Sequence, residues 1–217
     1  MGIAFFDFDE TVITGKSMFI FLKKYLEHGT LQCGLSFSSI MSKIQKQSNE
    51  GKSREDINRY YYSLFDGISQ NQVRIMASKV FSEGCYDFNT TIIKRIRFHQ
   101  NCNDDVVFVS GAMTDIIYPV MESLGIRNAL CSEPITEHGY YTGALSRISI
   151  GSQKAKHARD YAQVHHQPLS ACHAYGDHIS DLDLLRLVGH PYAVNPSSEL
   201  MEECQKQGWP ILLEPRL

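Results

Sequence analysis

Ile3-Ala4-Phe5-Phe6-Asp7-Phe8-Asp9-Glu10-Thr11 is the stretch on which the reading of this chain turns. Its apolar start, bounded by polar residues, has the pattern of a buried strand, so Asp7 falls at the strand's C-terminal end and Asp9 on the loop beyond. Carboxylates are costly there unless they are used. In an open parallel sheet, ligands bind outside the carboxyl ends of the strands, which is where these two lie. Taken alone, an Asp-x-Asp is an apolar strand finishing in an acidic turn. Three later segments give it more weight.

Beyond Thr11 the pattern changes. Gly15 offers a flexible turn and Ser17 an N-cap for a helix over 18–28, and helical spacing continues over 35–47 and 71–81. Between them Ser53-Arg54-Glu55-Asp56 supplies an N-cap and an acidic first turn for a helix running to residue 64. About seventy residues without a strand read as a helical insertion over 15–85, with the rest of the domain in 1–14 and 86–217. The crossings near 12–17 and 83–88 contain Gly15 and Gly84 and are expected to act as hinges. Strands then alternate with helices: strands at 105–109, 128–132, 171–175, 192–195 and 210–213, and helices at 115–124, 153–164, 181–187 and 198–207. A hairpin is expected at 137–143. This alternation predicts right-handed βαβ units, an α/β fold with a parallel sheet.

Composition narrows the partners. With 217 residues, a formal charge of −3 and 21% charged residues, the chain can bury a sizeable core and has no basic excess for a nucleic-acid backbone. Cys33, Cys85, Cys102, Cys131, Cys172 and Cys204 form no C-x-x-C pair, so they read as reduced thiols in a reducing compartment. No apolar run approaches the roughly 18 to 20 residues that span a bilayer, and the first strand begins too early for a signal peptide; a cytoplasmic protein without stable membrane insertion, monomer or homodimer, is expected.

Three strand ends bring functional groups to one edge: Asp7 and Asp9, then Ser110 with Gly111, then Asp177 with Asp181 a turn further on. Converging carboxylates repel, and hard oxygen ligands of this kind suit Mg²⁺ completed by water and phosphate oxygens. Ser110 and Gly111, expected just before a helix, offer a hydroxyl and close-approaching N–H groups to a phosphate. Lys154 or Lys156 can balance its charge.

Asp7-Phe8-Asp9-Glu10-Thr11, the Ser110-Gly111 strand end, Gly151-Ser152-Gln153-Lys154 and Gly176-Asp177-His178-Ile179-Ser180-Asp181 resemble the four ordered motifs of the haloacid-dehalogenase-like superfamily, in its phosphoserine-phosphatase-like branch. Leu64-Phe65-Asp66-Gly67-Ile68-Ser69 and Ala193-Val194-Asn195-Pro196-Ser197 are also similar to that branch, so the resemblance covers essentially the whole chain. It implies a Rossmann-like three-layer core with an inserted helical cap. It also implies a Mg²⁺-dependent phosphatase for a small phosphate monoester. Asp7 would be the nucleophile that forms an aspartyl-phosphate, and Asp9 the acid and then the base. Asp7, the backbone carbonyl of Asp9 and Asp177 would hold the metal, with Asp181 behind them. Thr11, Ser110, Gly111 and Lys154 would bind the phosphate, Lys154 rather than Lys156 because it follows Gly151 by three residues.

His178 stands where branch members often carry Ser, and reads as a surface histidine that adds a titratable group beside the site. Lys16, Lys43, Lys46, Lys52, Arg54 and Arg59 read as a mostly solvated helical face from which Arg54 or Arg59 can pair with a second anionic group on the substrate. Two enzymatic alternatives share these motifs, a phosphotransferase and a phosphatase of membrane lipids. A non-catalytic binding protein is disfavoured by the presence of both Asp7 and Asp9.

Overall fold

The computed structural model describes residues 2–29, 31 and 34–214. Residues 3–6 form a strand because every side chain in the run is buried, and the two faces of that strand feed different cores. Ala4 and Phe6, with Phe8 beyond, pack on one side, and Ile3 and Phe5 on the other. The same alternation recurs at Val106 and Phe108 against Val107 and Val109, the period-two signature of a sheet covered on both faces. The result is a three-layer α/β arrangement.

In chain order the elements are β1 (Ile3–Phe6), β2 (Ile13–Thr14), α1 (Ser17–His28), α2 (Phe37–Asn49), α3 (Arg54–Ser63), α4 (Gln70–Ser82), β3 (Asp87–Phe88) and α5 (Thr90–Asn101). There follow β4 (Asp105–Met113), α6 (Thr114–Leu124), β5 (Asn128–Glu137), β6 (Tyr140–Arg147), α7 (Ser152–Val164), β7 (His173–Gly176), α8 (Leu182–Leu187), β8 (His190–Val194), α9 (Ser198–Gln207) and β9 (Ile211–Leu212). The main sheet runs β6-β5-β4-β1-β7-β8-β9, parallel throughout except for the antiparallel β5/β6 hairpin at its edge. After β1 the chain builds outward through β4 and β5, then returns to lay β7 on the other side of β1. The reversal leaves a crevice at the carboxyl ends of β1, β4 and β7, where such folds bind ligands.

Helices α1 to α4 lie between β2 and β3, which pair as a separate two-stranded ribbon. Phe21, Leu22, Tyr61 and Phe65 of this helical segment share one continuous core with Phe8 and Val12. Among the described residues no helix is long and apolar enough to cross a membrane. Cys85, Cys102, Cys131, Cys172 and Cys204 are free thiols, while Cys33 lies outside the described residues.

Several local expectations are corrected. Strand β4 continues through Met113 with a register irregularity after Ser110, so Ser110 and Gly111 sit within a distorted strand end and not directly before a helix. Strand β5 extends through Pro134, which is tolerated because the strand has by then left β4 and pairs with β6 across a register irregularity. Helix α5, unread in the sequence, is capped by the Asn89 side chain and buries Ile92 and Ile96. Residues 179–181 form a 3₁₀ turn, so the following helix begins at Leu182. Ser17 is not an N-cap but the first helical residue, its N–H taken by Asp9. Ser53 caps α3 as expected, in a reciprocal box with Asp56.

Candidate active site

Asp7 ends β1, fixed by its backbone N–H donating to the Tyr175 carbonyl of β7 at 2.9 Å. Asp177 follows β7, and Asp181 closes the 3₁₀ turn beyond it. Carboxylate oxygens of Asp7, Asp177 and Asp181 all lie within 4.8 Å of one another, and all three residues are buried. Gly176 lets them converge: a Cβ there would stand 2.8 Å from Asp181 Cβ and 2.9 Å from its Oδ2.

One cation enters the cluster from the opposite layer. Lys154 lies in the first turn of α7, behind Gly151, whose positive φ of 56° suits glycine at this chain reversal. Its Nζ is 2.7 Å from Asp7 Oδ1 and 2.7 Å from Asp181 Oδ1, with the residue only 5% exposed. Lys156 is exposed on the same helix, so the structure brings Lys154 and not Lys156 to the carboxylates.

The electrostatics follow from this crowding. Burial pushes the Asp7 carboxyl up to about 6 although Lys154 holds it down, and Asp181 adds to the rise. Burial raises Asp177 further, to about 9, reinforced by Asp7 and Asp181. Burial works against the charge on Lys154, but Asp181 and Asp7 outweigh it and the ammonium is held in its charged form. Three carboxylates therefore face one ammonium, a donor set that fits a hard divalent cation.

Asp9 lies outside this cluster. Its Oδ1 accepts the Ser17 N–H at 2.8 Å, binding it to the N-terminus of α1. Burial raises its carboxyl, against the Ser17 hydrogen bond that lowers it. Thr11 is fully buried and its hydroxyl donates to Asp177 Oδ1 at 3.3 Å, so it supports that carboxylate instead of facing the open cavity. Ser110 Oγ accepts the Ala112 N–H at 3.1 Å, and Ser110 and Gly111 both line the cavity. A Cβ on Gly111 would stand 2.9 Å from Ile150 Cγ1, so a larger residue has little room.

Two contributors were not read from the sequence. Asn58 of α3, only 9% exposed, donates to the Gly111 carbonyl at 3.1 Å, and Tyr62 donates to the same carbonyl at 3.2 Å. The signal for Asn58 was a polar residue inside the stripe Arg54-Ile57-Asn58-Tyr61, at helical spacing on the buried face. Arg54 Nη1 is 2.8 Å from His178 Nδ1 and 2.8 Å from Ser180 Oγ. His178 is therefore no surface loop histidine but a cavity residue whose imidazole is held down by burial and by Arg54. Lys16 lines the same cavity, paired with Glu10 at 3.6 Å, whereas Arg59 is exposed and lies outside it.

Comparison with known proteins places the chain in a family. The family model for haloacid dehalogenase-like hydrolases matches residues 4–186. A probable phosphatase of Mycobacterium tuberculosis strain H37Rv is 33% identical over 216 residues, covering 96% of this chain and 74% of the relative. A Bordetella pertussis protein of unknown function superposes with a TM-score of 0.87 at 19% identity, covering 97% of each chain. A phosphoserine phosphatase solved as a phospho-aspartyl intermediate analogue superposes with a TM-score of 0.70 at 20% identity, covering 99% of this chain and 94% of that one.

Proposed function

The chain belongs to the haloacid dehalogenase-like hydrolases, is phosphoserine-phosphatase-like and is a phosphoric monoester hydrolase; from that premise we propose that it cleaves a small phosphate monoester through an aspartyl-phosphate on Asp7. The observation that carries this reading is Asp7 itself: a buried carboxylate at the mouth of the β1 crevice, one oxygen held by Lys154 at 2.7 Å, facing the cavity.

Asp7 would attack phosphorus in line with the leaving oxygen. As the P–O bond to the alcohol breaks, Asp9 would give that oxygen its proton. Water would then attack the phosphoryl group on Asp7, Asp9 would take the proton, and inorganic phosphate and the free carboxylate would result. The burial that raises Asp9 suits a group that must start protonated. Lys154 would neutralise charge on Asp7 and on the transferred phosphoryl oxygens, while Ser110 and the backbone at Gly111 would orient them. Asp7, the Asp9 carbonyl and Asp177 would hold Mg²⁺, with Asp181 positioning Lys154. Bound there, the ion supplies positive charge against the phosphoryl oxygens. Helices α1 to α4, over 15–85, would act as the cap, and the compartment would be the cytoplasm.

Quenched-flow labelling tests the scheme. Wild-type enzyme mixed with an aryl phosphate, whose leaving phenolate needs no proton, should carry one phosphoryl group on Asp7, Asp9→Asn should accumulate it for want of the base, and folded Asp7→Asn should neither label nor turn over. Near-wild-type phosphate release by Asp7→Asn would overturn the assignment.

A further inference from the structure

The cavity above Asp7 has a volume of about 480 Å³, well beyond what a phosphate alone requires and within the range of pockets that enclose whole organic ligands, about 300–1,000 Å³. Its far wall is built by three helices. Met18 and Phe19 come from α1, Met41 and Ile44 from α2, Ile57 and Tyr61 from α3. The α2 and α3 residues recur at i, i+3, i+4 and i+7 (41-44-45-48 and 54-57-58-61), so each helix turns one stripe to the cavity. The two helices meet at the 50–53 connection. Ser48 and Arg54 consequently lie at one end of the wall, and Met41 and Tyr61 at the other.

Phe19, Met41 and Ile57 are only partly buried, so the cavity presents apolar surface to water until something covers it. The charges do not favour a second anion there. Asp7, Asp9, Glu10 and Asp177 line the cavity against Lys16, Lys154 and Arg54, and a divalent cation with a phosphate dianion adds nothing to that balance. Lys16 is already matched by Glu10, and one Arg54 nitrogen is committed to His178 and Ser180. Arg59, the other guanidinium considered for a second anion, lies outside the cavity.

We infer that the leaving alcohol of the substrate carries a neutral, apolar body that packs between Met41, Ile57 and Phe19 while its phosphate lies on Asp7. This deepens the phosphatase reading and rests on it. It sets the substrate apart from compact, doubly charged monoesters, because the patch of Phe19, Met41 and Ile57 offers dispersion contacts and an adaptable methionine where a charged group would want a cation, and the donors beside it, Gln45 and Ser48, are neutral. Such a body can come from a soluble alcohol or from a single-chain lipid.

The test is a series of n-alkyl phosphates from ethyl to octyl, used as monomers below micelle formation. The leaving group is chemically constant along the series and only the body grows. The ratio kcat/KM should rise by about fourfold per methylene that the cavity buries, then level off. Phosphoserine should fall below the butyl ester. Met41→Gln and Ile57→Asn should each flatten the slope, with circular dichroism confirming the fold. Binding of n-alkyl phosphonates by calorimetry reads the same wall without turnover. If no ester releases phosphate yet phosphonate affinity climbs with length, the apolar wall stands and the phosphatase reading falls. If esters are cleaved at rates independent of length, or phosphoserine is preferred, the wall does not bind a substrate body and the inference is overturned. Lysophosphatidate in vesicles run against monomeric octyl phosphate separates the two sources. Preference for either upholds the apolar body.

Discussion

Replacing Lys154 by methionine removes the ammonium that Asp7 and Asp181 share, with little change in side-chain volume. Both contacts are 2.7 Å and both partners are buried, so the carboxylates cannot recover the lost charge from water. Taking one partner from a buried pair costs about 3–5 kcal/mol, because it leaves uncompensated charge behind. That full cost is expected at about pH 8 in metal-chelated protein, read from the urea midpoint against wild type. Two conditions should shrink it. Lowering the pH toward 5 protonates the carboxyls that burial and mutual repulsion already raise. Mg²⁺ at one fixed, saturating concentration should also shrink it, because the carboxylates freed of Lys154 bind the ion more tightly, and each tenfold gain in affinity over wild type returns about 1.4 kcal/mol. Turnover should fall by about 10² to 10³, the cost of deleting one charge-stabilising donor. Lys156→Met on the same helix is the control, exposed and expected to stay within about 0.5 kcal/mol of wild type. A Lys154→Met protein less than about 1 kcal/mol destabilised at pH 8 without metal, with turnover within tenfold of wild type, would refute the coupling of Lys154 to these carboxylates.

In chelated wild-type protein, Asp7 and Asp177 have folded pKa values near 6 and 9 against an ordinary carboxyl value of 3.8, so the native state holds more protons than the unfolded chain between those limits. Their contribution to stability is present below about pH 4 and lost as pH rises through 6 and then 9; the urea midpoint should fall over that window, Mg²⁺ should flatten the fall, and Asp177→Asn should remove its alkaline part. Gly176→Ala should displace Asp181 from Lys154, costing about 1–3 kcal/mol by overpacking and lowering kcat at least tenfold; unchanged kcat would mean that Asp181 can move without consequence. Arg54→Ala removes an exposed contact and should cost under about 1 kcal/mol, yet it should raise KM and speed hydrogen exchange in α2 and α3; unaltered exchange would show that the bridge to His178 and Ser180 holds nothing closed.

What could be read from the sequence was whatever a short window contains. The β1 run with its two aspartates, the glycine-led positions of Lys154 and Asp177, and the Ser53–Asp56 box are all local patterns, and each appears in the structure where the pattern put it. What escaped reading depends on partners that only the folded chain brings together. Asp9 serves the start of α1 because its loop folds back onto Ser17, which no propensity reports. His178 looked like a surface residue because Arg54 stands 124 positions before it. Strands β2 and β3 are two residues each and exist only as a pair. Helix α5 is different, since Asn89 followed by Ile92 and Ile96 was a legible N-cap and stripe.

The distant contacts share one property that bears on how the site works. Each of the three strand-end loops is held by the helical segment: Asp9 by the α1 amide, Gly111 by Asn58 and Tyr62 of α3, and His178 by Arg54 of α3. Any displacement of α1 or α3 therefore moves Asp9 or the backbone at Gly111 directly. Those helices are also anchored, because Phe21, Leu22, Tyr61 and Phe65 share a core with Phe8 and Val12, and swinging them away would expose it. Among the described residues helix α2 carries no such tie to the loops and buries only Ile40 and Ile44, while supplying Met41 and Ser48 to the cavity wall. Opening for substrate is thus cheapest at α2, which leaves Asp9 and Gly111 in place while the cavity fills.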